Sequence, residues 1–170
     1  AAGDESAAVR LAALLVMRRA KDGGIAKFLD DKATGVVEEA ARAINDELIE
    51  GAVPALAAAI KKEKLTRPVW LRAINANLRL GGAEQAKAVA AFAAEEGNSE
   101  DGRAEALWAL ANWAKPPVRD RVMGLIRPIP ERSNEVAKKV AEPIVGNLAE
   151  AGPTKVRLRA AELIEKLDVD

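Results

Sequence analysis

The sequence predicts an all-α protein: a right-handed α-solenoid of about five stacked helical hairpins, irregular between roughly residues 127 and 152. Three observations carry that prediction. Alanine supplies 37 of the 170 residues, against three Trp, two Phe and no Tyr. Such a composition suits closely apposed helices and serves sheets poorly, since strands favour β-branched and aromatic side chains. Apolar residues recur at the helical spacings i, i+3, i+4 and i+7 along most of the chain. The pattern itself also repeats. Taking Val9, Val37, Trp70, Arg103 and Val156 as equivalent openings gives spacings of 28, 33, 33 and 53 residues, and the first three fall within the periods of stacked helical repeats.

The first helix is read from Val9, Ala12, Ala13, Val16, Met17 and Ala20, one apolar stripe that should stop at Asp22-Gly23-Gly24. A short apolar group, Ile25, Phe28 and Leu29, follows. The second hairpin pairs Val37, Ala40, Ala41, Ile44 and Leu48 with Val53, Leu56, Ala57 and Ile60, Pro54 being tolerated in a first turn. The third pairs Trp70, Ala73, Ile74, Asn77 and Leu78 with Ala86, Val89, Ala90 and Ala93, separated by Gly81-Gly82. A fourth opens near Glu100 with Ala104, Leu107, Trp108 and Ala111. A second stripe of Ala106, Ala109, Leu110 and Trp113 places that helix between two neighbours. After Pro116-Pro117, the residues Val118, Val122, Leu125 and Ile126 read as a short helix ended by Pro128 and Pro130. A helix near 133–150 should kink or restart at Pro143, and the last helix carries Val156, Ala160, Leu163, Ile164 and Leu167. Each hairpin leaves apolar groups that only stacking on a neighbour can cover.

VRLAALLVMRRA with GIAKFLDD, and VVEEAARAINDELIEGAVPALAAAI, resemble HEAT repeats of the short, Ala-rich, lyase-like kind over nearly the whole chain, residues 127–152 departing from the pattern. EAARAINDELI, INANLRLGG and WAKPPVRDRV are similar to the HEAT region of large exported planctomycete and verrucomicrobial proteins. In those a sorbosone-dehydrogenase-like propeller precedes the repeats and a c-type haem domain follows. The resemblance implies a single HEAT-repeat domain over 1–170, part of a larger exported or periplasmic protein. The chain has no Cys-x-x-Cys-His and no propeller pattern, so neither activity carries over. A start at Ala1-Ala2-Gly3 without Met fits a processed or excised chain.

The 26 basic and 26 acidic residues cancel, which leaves no global field to draw nucleic acid or an anionic membrane. No apolar run is long enough to span a bilayer, so no membrane insertion is expected. With no Cys and no His, the common zinc sites, thiol nucleophiles and imidazole-based triads are excluded, and no cofactor and no catalysis are expected. The carboxylate pairs Glu38-Glu39, Glu95-Glu96 and Asp30-Asp31 point about 100° apart on a helix and read as solvated faces. Trp70 and Trp108 read as core, with Trp113 partly wet at a helix end. The recurrence Asn45, Asn77, Asn112 reads as amides that satisfy turn groups, the alternative being a peptide-binding ladder. Arg119, Arg121 and Arg127 beside the proline-rich break mark a candidate docking patch.

The expected function is therefore a non-catalytic scaffold or docking module whose partner is another protein or a neighbouring domain of the same chain. The alternative is a HEAT-like nucleic-acid-binding protein or DNA glycosylase, which the absence of a basic stripe disfavours; a tetrapyrrole-handling protein like the phycobilin lyases lacks an evident cofactor anchor. On the docking reading, the interaction surface lies on the solvent-facing positions of the second helices, which nominates Ala58, Lys62, Lys87, Ala91, Asp120 and Arg127.

Overall fold

The computed structural model describes residues 2–169. Eight α-helices account for most of them: α1 (Ala7–Ala20), α2 (Thr34–Asp46), α3 (Val53–Ala58), α4 (Arg67–Leu80), α5 (Ala83–Ala94), α6 (Glu100–Ala111), α7 (Glu135–Ala151) and α8 (Thr154–Leu167). Three 3-10 segments, Gly23–Asp30, Glu50–Ala52 and Ala59–Lys61, link the early helices. No strand forms among the described residues; one isolated antiparallel bridge joins Arg119 and Ile126. The protein is all-α, as its composition requires.

The helices touch in two series. In the first, α1 packs on α2, α2 on α4, α4 on α6 and α6 on α8. In the second, the Gly23–Asp30 segment meets α3, the Ala59–Lys61 turn that follows α3 meets α5, and α5 meets α7. The core lies between the two series, and the expected stripes fill it. Ala40, Ala41 and Ile44 of α2, Leu56 of α3, Ala86 and Val89 of α5, and Val156, Ala160 and Leu163 of α8 are buried completely. Alanine at these contacts lets backbones approach closely, so added bulk has nowhere to go. Ala41→Leu and Ala57→Leu should each lower stability by ~1–3 kcal/mol, read as a lower denaturant midpoint; melting within error of the parent for both would contradict this packing.

Helix ends follow local chemistry. Asp22 accepts from the Gly24 N–H and Ser99 from the Gly102 N–H, each supplying a missing N-terminal acceptor. At the other end of α4, Gly81 adopts φ +73°, the left-handed conformation that glycine tolerates. A Cβ there would also collide with the guanidinium of Arg132.

Three expectations need correction. The irregular stretch is Asn112–Asn134 rather than 127–152, and residues 135–151 form one helix that continues through Pro143 without restarting. The segment holding Val118, Val122, Leu125 and Ile126 is a hairpin-like loop. Asp120 N–H donates to Leu125 O at 2.8 Å and Arg127 N–H to Val118 O at 2.9 Å. Asp120 Oδ1 accepts from the N–H groups of Val122 and Met123, a turn that Gly124 closes at φ +69°. Finally, α1 buries Arg10 and Leu14, while Val9 and Val16 of the expected stripe are 39% and 70% exposed.

Arg10 replaces that stripe as the anchor of α1. Its guanidinium grips Asp31 bidentately, at 2.6 and 2.8 Å, and donates to the carbonyls of Asp4 and Glu5. The hydrogen bond from Arg10 holds the Asp31 carboxyl down at about 2, from an ordinary 3.8. A carboxylate depressed in the folded state stabilises fully above its unfolded pKa, and that contribution disappears as the pH falls through the folded value. The Arg10–Asp31 pair thus contributes above about pH 4 and is lost toward about pH 2. In Asp31→Asn, the drop in melting temperature between those two pH values should be smaller than in the parent; an unchanged drop would remove Asp31 from the acid response.

Candidate functional site

A groove is built where the chain leaves α3. The turn Ile60–Lys64 faces α5 across a groove of about 680 Å³. Its floor is apolar, formed by Ile60 and Phe92, both nearly buried, with Ala88 and Ala91. Lys61, Lys62, Lys64 and Lys87 stand on the rim beside Glu63, Glu84 and Glu95. Helix α5 presents this wall because its buried stripe, Ala86, Val89, Ala90 and Ala93, turns Lys87 and Ala91 outward.

The rim charges differ in availability. Lys62 Nζ donates to Leu29 O at 2.7 Å and to Asp30 Oδ1 at 2.5 Å, tying the groove to the end of the Gly23–Asp30 segment. Lys61, Lys64, Lys87 and Glu84 make no ion pair among the described residues. A second, smaller depression of about 440 Å³ lies along α4, α6 and α8. Most of its charges are paired, Lys155 with Asp101 at 2.6 Å, Arg159 with Glu162 at 2.5 Å and Glu105 with Arg121 at 2.9 Å. The groove at α5 therefore combines the larger apolar floor with the freer charges. The described residues hold no group of three or more carboxylates placed to share a metal ion, and no helix is long and apolar enough to cross a membrane.

The chain matches no family model, no curated protein and no solved structure.

Of the six nominated residues, Lys62, Lys87 and Ala91 line one groove, and Ala58 is exposed on α3 just before it. Asp120 and Arg127 do not belong there. They sit on the hairpin loop, which lies against the first series of helices rather than facing solvent on a second helix. Asp120 is buried, its Oδ2 accepting from Asn75 Nδ2 at 2.9 Å and standing 3.5 Å from Arg79. Arg127 donates to the carbonyls of Asn45 and Asp46, the last residues of α2, at 2.9 and 2.6 Å. Cations at helix C-termini satisfy carbonyls left without intrahelical partners.

The proposed arginine patch dissolves for the same reason. Arg121 pairs with Glu105 at 2.9 Å and lies 4.5 Å over the Trp108 ring, so Trp108 is half-buried under a cation rather than fully in the core. Arg119 donates to Gly124 O. All three arginines hold the loop to the helices or to itself. Trp113, expected to be partly wet, is completely buried with no partner for its indole N–H. The asparagines are engaged by the chain itself: Asn77 donates to Ala57 O and Ala73 O, Asn112 to Trp108 O, and Asn45 accepts from Asn75. Asn77 thus satisfies a carbonyl at the end of α3, the turn role expected for it. Phe92 and Ile60 were not nominated; a groove between two elements separated by some thirty residues leaves no mark in local periodicity.

Proposed function

We propose that this chain is a docking module of HEAT type, a solenoid of about five helical hairpins that binds a protein segment without turning it over. The two contact series support the solenoid reading. Helices α2, α4, α6 and α8 succeed one another on one side while the Gly23–Asp30 segment, α3 with its Ala59–Lys61 turn, α5 and α7 do so on the other, the nearest-neighbour contact pattern of stacked repeats. Helix α7 then packs on α5 as the helix after α6 would in a regular hairpin, and loop 112–134 connects the two while lying against α2, α4 and α6.

The single observation that carries the docking role is the groove between Ile60–Lys64 and α5. An apolar floor with a rim of both charge signs fits a peptide that buries one or two apolar side chains and sets its register by flanking charges. Ala91 lies on the floor with its side chain exposed, so Ala91→Arg fills the groove without touching the core.

The test is selection from a displayed random-peptide library on the parent chain and on Ala91→Arg. Peptides that enrich on the parent should bind the variant at least tenfold more weakly, while the two chains melt alike. Peptides that bind both equally would place docking elsewhere. Duplex DNA held at micromolar concentration in about 0.15 M salt, and released steeply as salt rises, would instead favour the nucleic-acid reading, for which the rim lysines are the available phosphate contacts.

A further inference from the structure

Helix α1 carries an apolar face that the fold leaves in water. Val9, Leu15 and Val16 are 39%, 46% and 70% exposed, and Ala8 and Ala12 beside them are exposed too. Their positions are not scattered. Ala8, Ala12, Leu15 and Arg19 follow one another at intervals of four, three and four residues, the seam of a two-helix contact, with Val9 and Val16 along its flank. This face is opposite the buried side, where Arg10 and Leu14 meet the rest of the chain. An apolar stripe on two sides is what α6 has, and α6 lies between α4 and α8 with Ala106, Leu107, Ala109 and Leu110 fully covered. By the same standard α1 has one neighbour too few.

The charges along α1 say what fits there. Asp4 and Glu5 stand just before its first turn and Arg19 and Lys21 at its end, all exposed. Arg19 and Lys21 make no ion pair among the described residues; Arg18, beside them, is held by Glu39 and Glu47. The midpoint between Glu5 and Arg19 is Ala12, an exposed alanine within the stripe. A second α1 laid antiparallel with Ala12 against Ala12 would set Ala8 against Val16 and Val9 against Leu15. It would also bring each acidic end alongside the other helix's basic end. A face complementary to its own twofold copy is what an isologous contact needs. A parallel arrangement would oppose like charges.

We propose that α1 is a self-association surface, through which two copies of this chain pair as an antiparallel, twofold-symmetric dimer centred on Ala12. One helix pair covers less than the roughly 1,600 Å² of a standard stable interface, so the dimer is weak and reversible, with a Kd on the order of 0.1 mM.

Sedimentation equilibrium of the 170-residue chain tests it, over concentrations spanning about 0.01 to 1 mM. Three variants at exposed positions accompany it, and their melting curves report that the fold is intact. Val16→Asp should abolish association. Glu5→Arg and Arg19→Glu should each weaken it tenfold or more, because each opposes like charges twice across the twofold axis. Mixed in equal amounts, these two should recover association at the parent's strength, since the heterodimer restores both opposite-charge pairs. Raising the salt should weaken the parent dimer. A parent chain monomeric throughout the range would overturn the proposal. So would a dimer indifferent to Val16→Asp and to both charge reversals; its loss on Ile126→Asp would assign the contact to the exposed apolar tip of the hairpin loop instead.

Discussion

Replacing Asp120 by alanine should lower stability by about 3–5 kcal/mol and the melting temperature by roughly 10 °C for a chain of this length. The side chain is 1% exposed and occupies the middle of a buried polar cluster. One oxygen takes the N–H groups of Val122 and Met123 at 2.9 and 2.8 Å, and the other takes Asn75. Arg79 stands at 3.5 Å with one nitrogen buried and otherwise unpartnered. Truncation removes the shared acceptor, strands the Arg79 nitrogen and two backbone donors and leaves the Asn75 amide only Asn45, and that loss is larger than the value of any one bond. Asp120→Asn keeps an acceptor for the two backbone donors but opposes its amide to that of Asn75 or Arg79, so its cost should fall between parent and alanine. Hydrogen exchange supplies the local readout: the amides of Asp120 and Arg127, which close the hairpin, should lose protection first. A variant that melts within about 1 kcal/mol of the parent would show the hairpin to be loosely attached.

Trp113→Ala should cost a comparable ~3–5 kcal/mol. The indole is completely buried, and Arg132 stacks on it with its guanidinium 4.7 Å from the ring centroid. Arg132 also donates to Trp113 O at 2.7 Å and Leu78 O at 2.5 Å, and it fills the space above Gly81. Burial pushes the Arg132 pKa down, so this cation relies on the ring and the carbonyls around it. Removing the indole leaves a cavity and uncovers the charge, whereas Trp113→Phe keeps most of the ring and eliminates an unpartnered N–H. The phenylalanine variant should therefore recover most of the loss. Arg132→Ala and Trp113→Ala combined should cost less than their sum, because both remove the same contact; strict additivity would contradict the stacking.

The helices were readable wherever one apolar stripe decided the matter. In α3 and the Ala59–Lys61 turn after it, Val53, Leu56, Ala57 and Ile60 are buried as their spacing requires, and in α5 the stripe's opposite face exposes Lys87 and Ala91. In α1 the stripe read from the sequence is not the face that meets the core, because periodicity marks apolar positions and gives no weight to a buried charge. The deciding residue was Arg10, polar by type and buried because Asp31 and two carbonyls satisfy it. The hairpin loop misled for a related reason. Val118, Val122, Leu125 and Ile126 fall at helical intervals, yet Asp120 and Gly124 set a turn between flanking prolines, and local turn chemistry outweighed the spacing. Extending a helix through that turn put Asp120 and Arg127 on a surface they do not occupy. The floor of the groove escaped notice because Ile60 and Phe92 meet only through the fold.

Docking in the groove at α5 is tested most directly by amide chemical-shift mapping. A peptide selected on the parent chain is titrated into the isotope-labelled protein, and the backbone signals are followed to saturation. Shifts concentrated at Lys62, Lys87, Ala88, Ala91, Phe92 and Asn98, all lining the groove, and absent in Ala91→Arg, are the predicted result. Shifts confined to α1, α4 or the hairpin loop, with α5 silent, would contradict it.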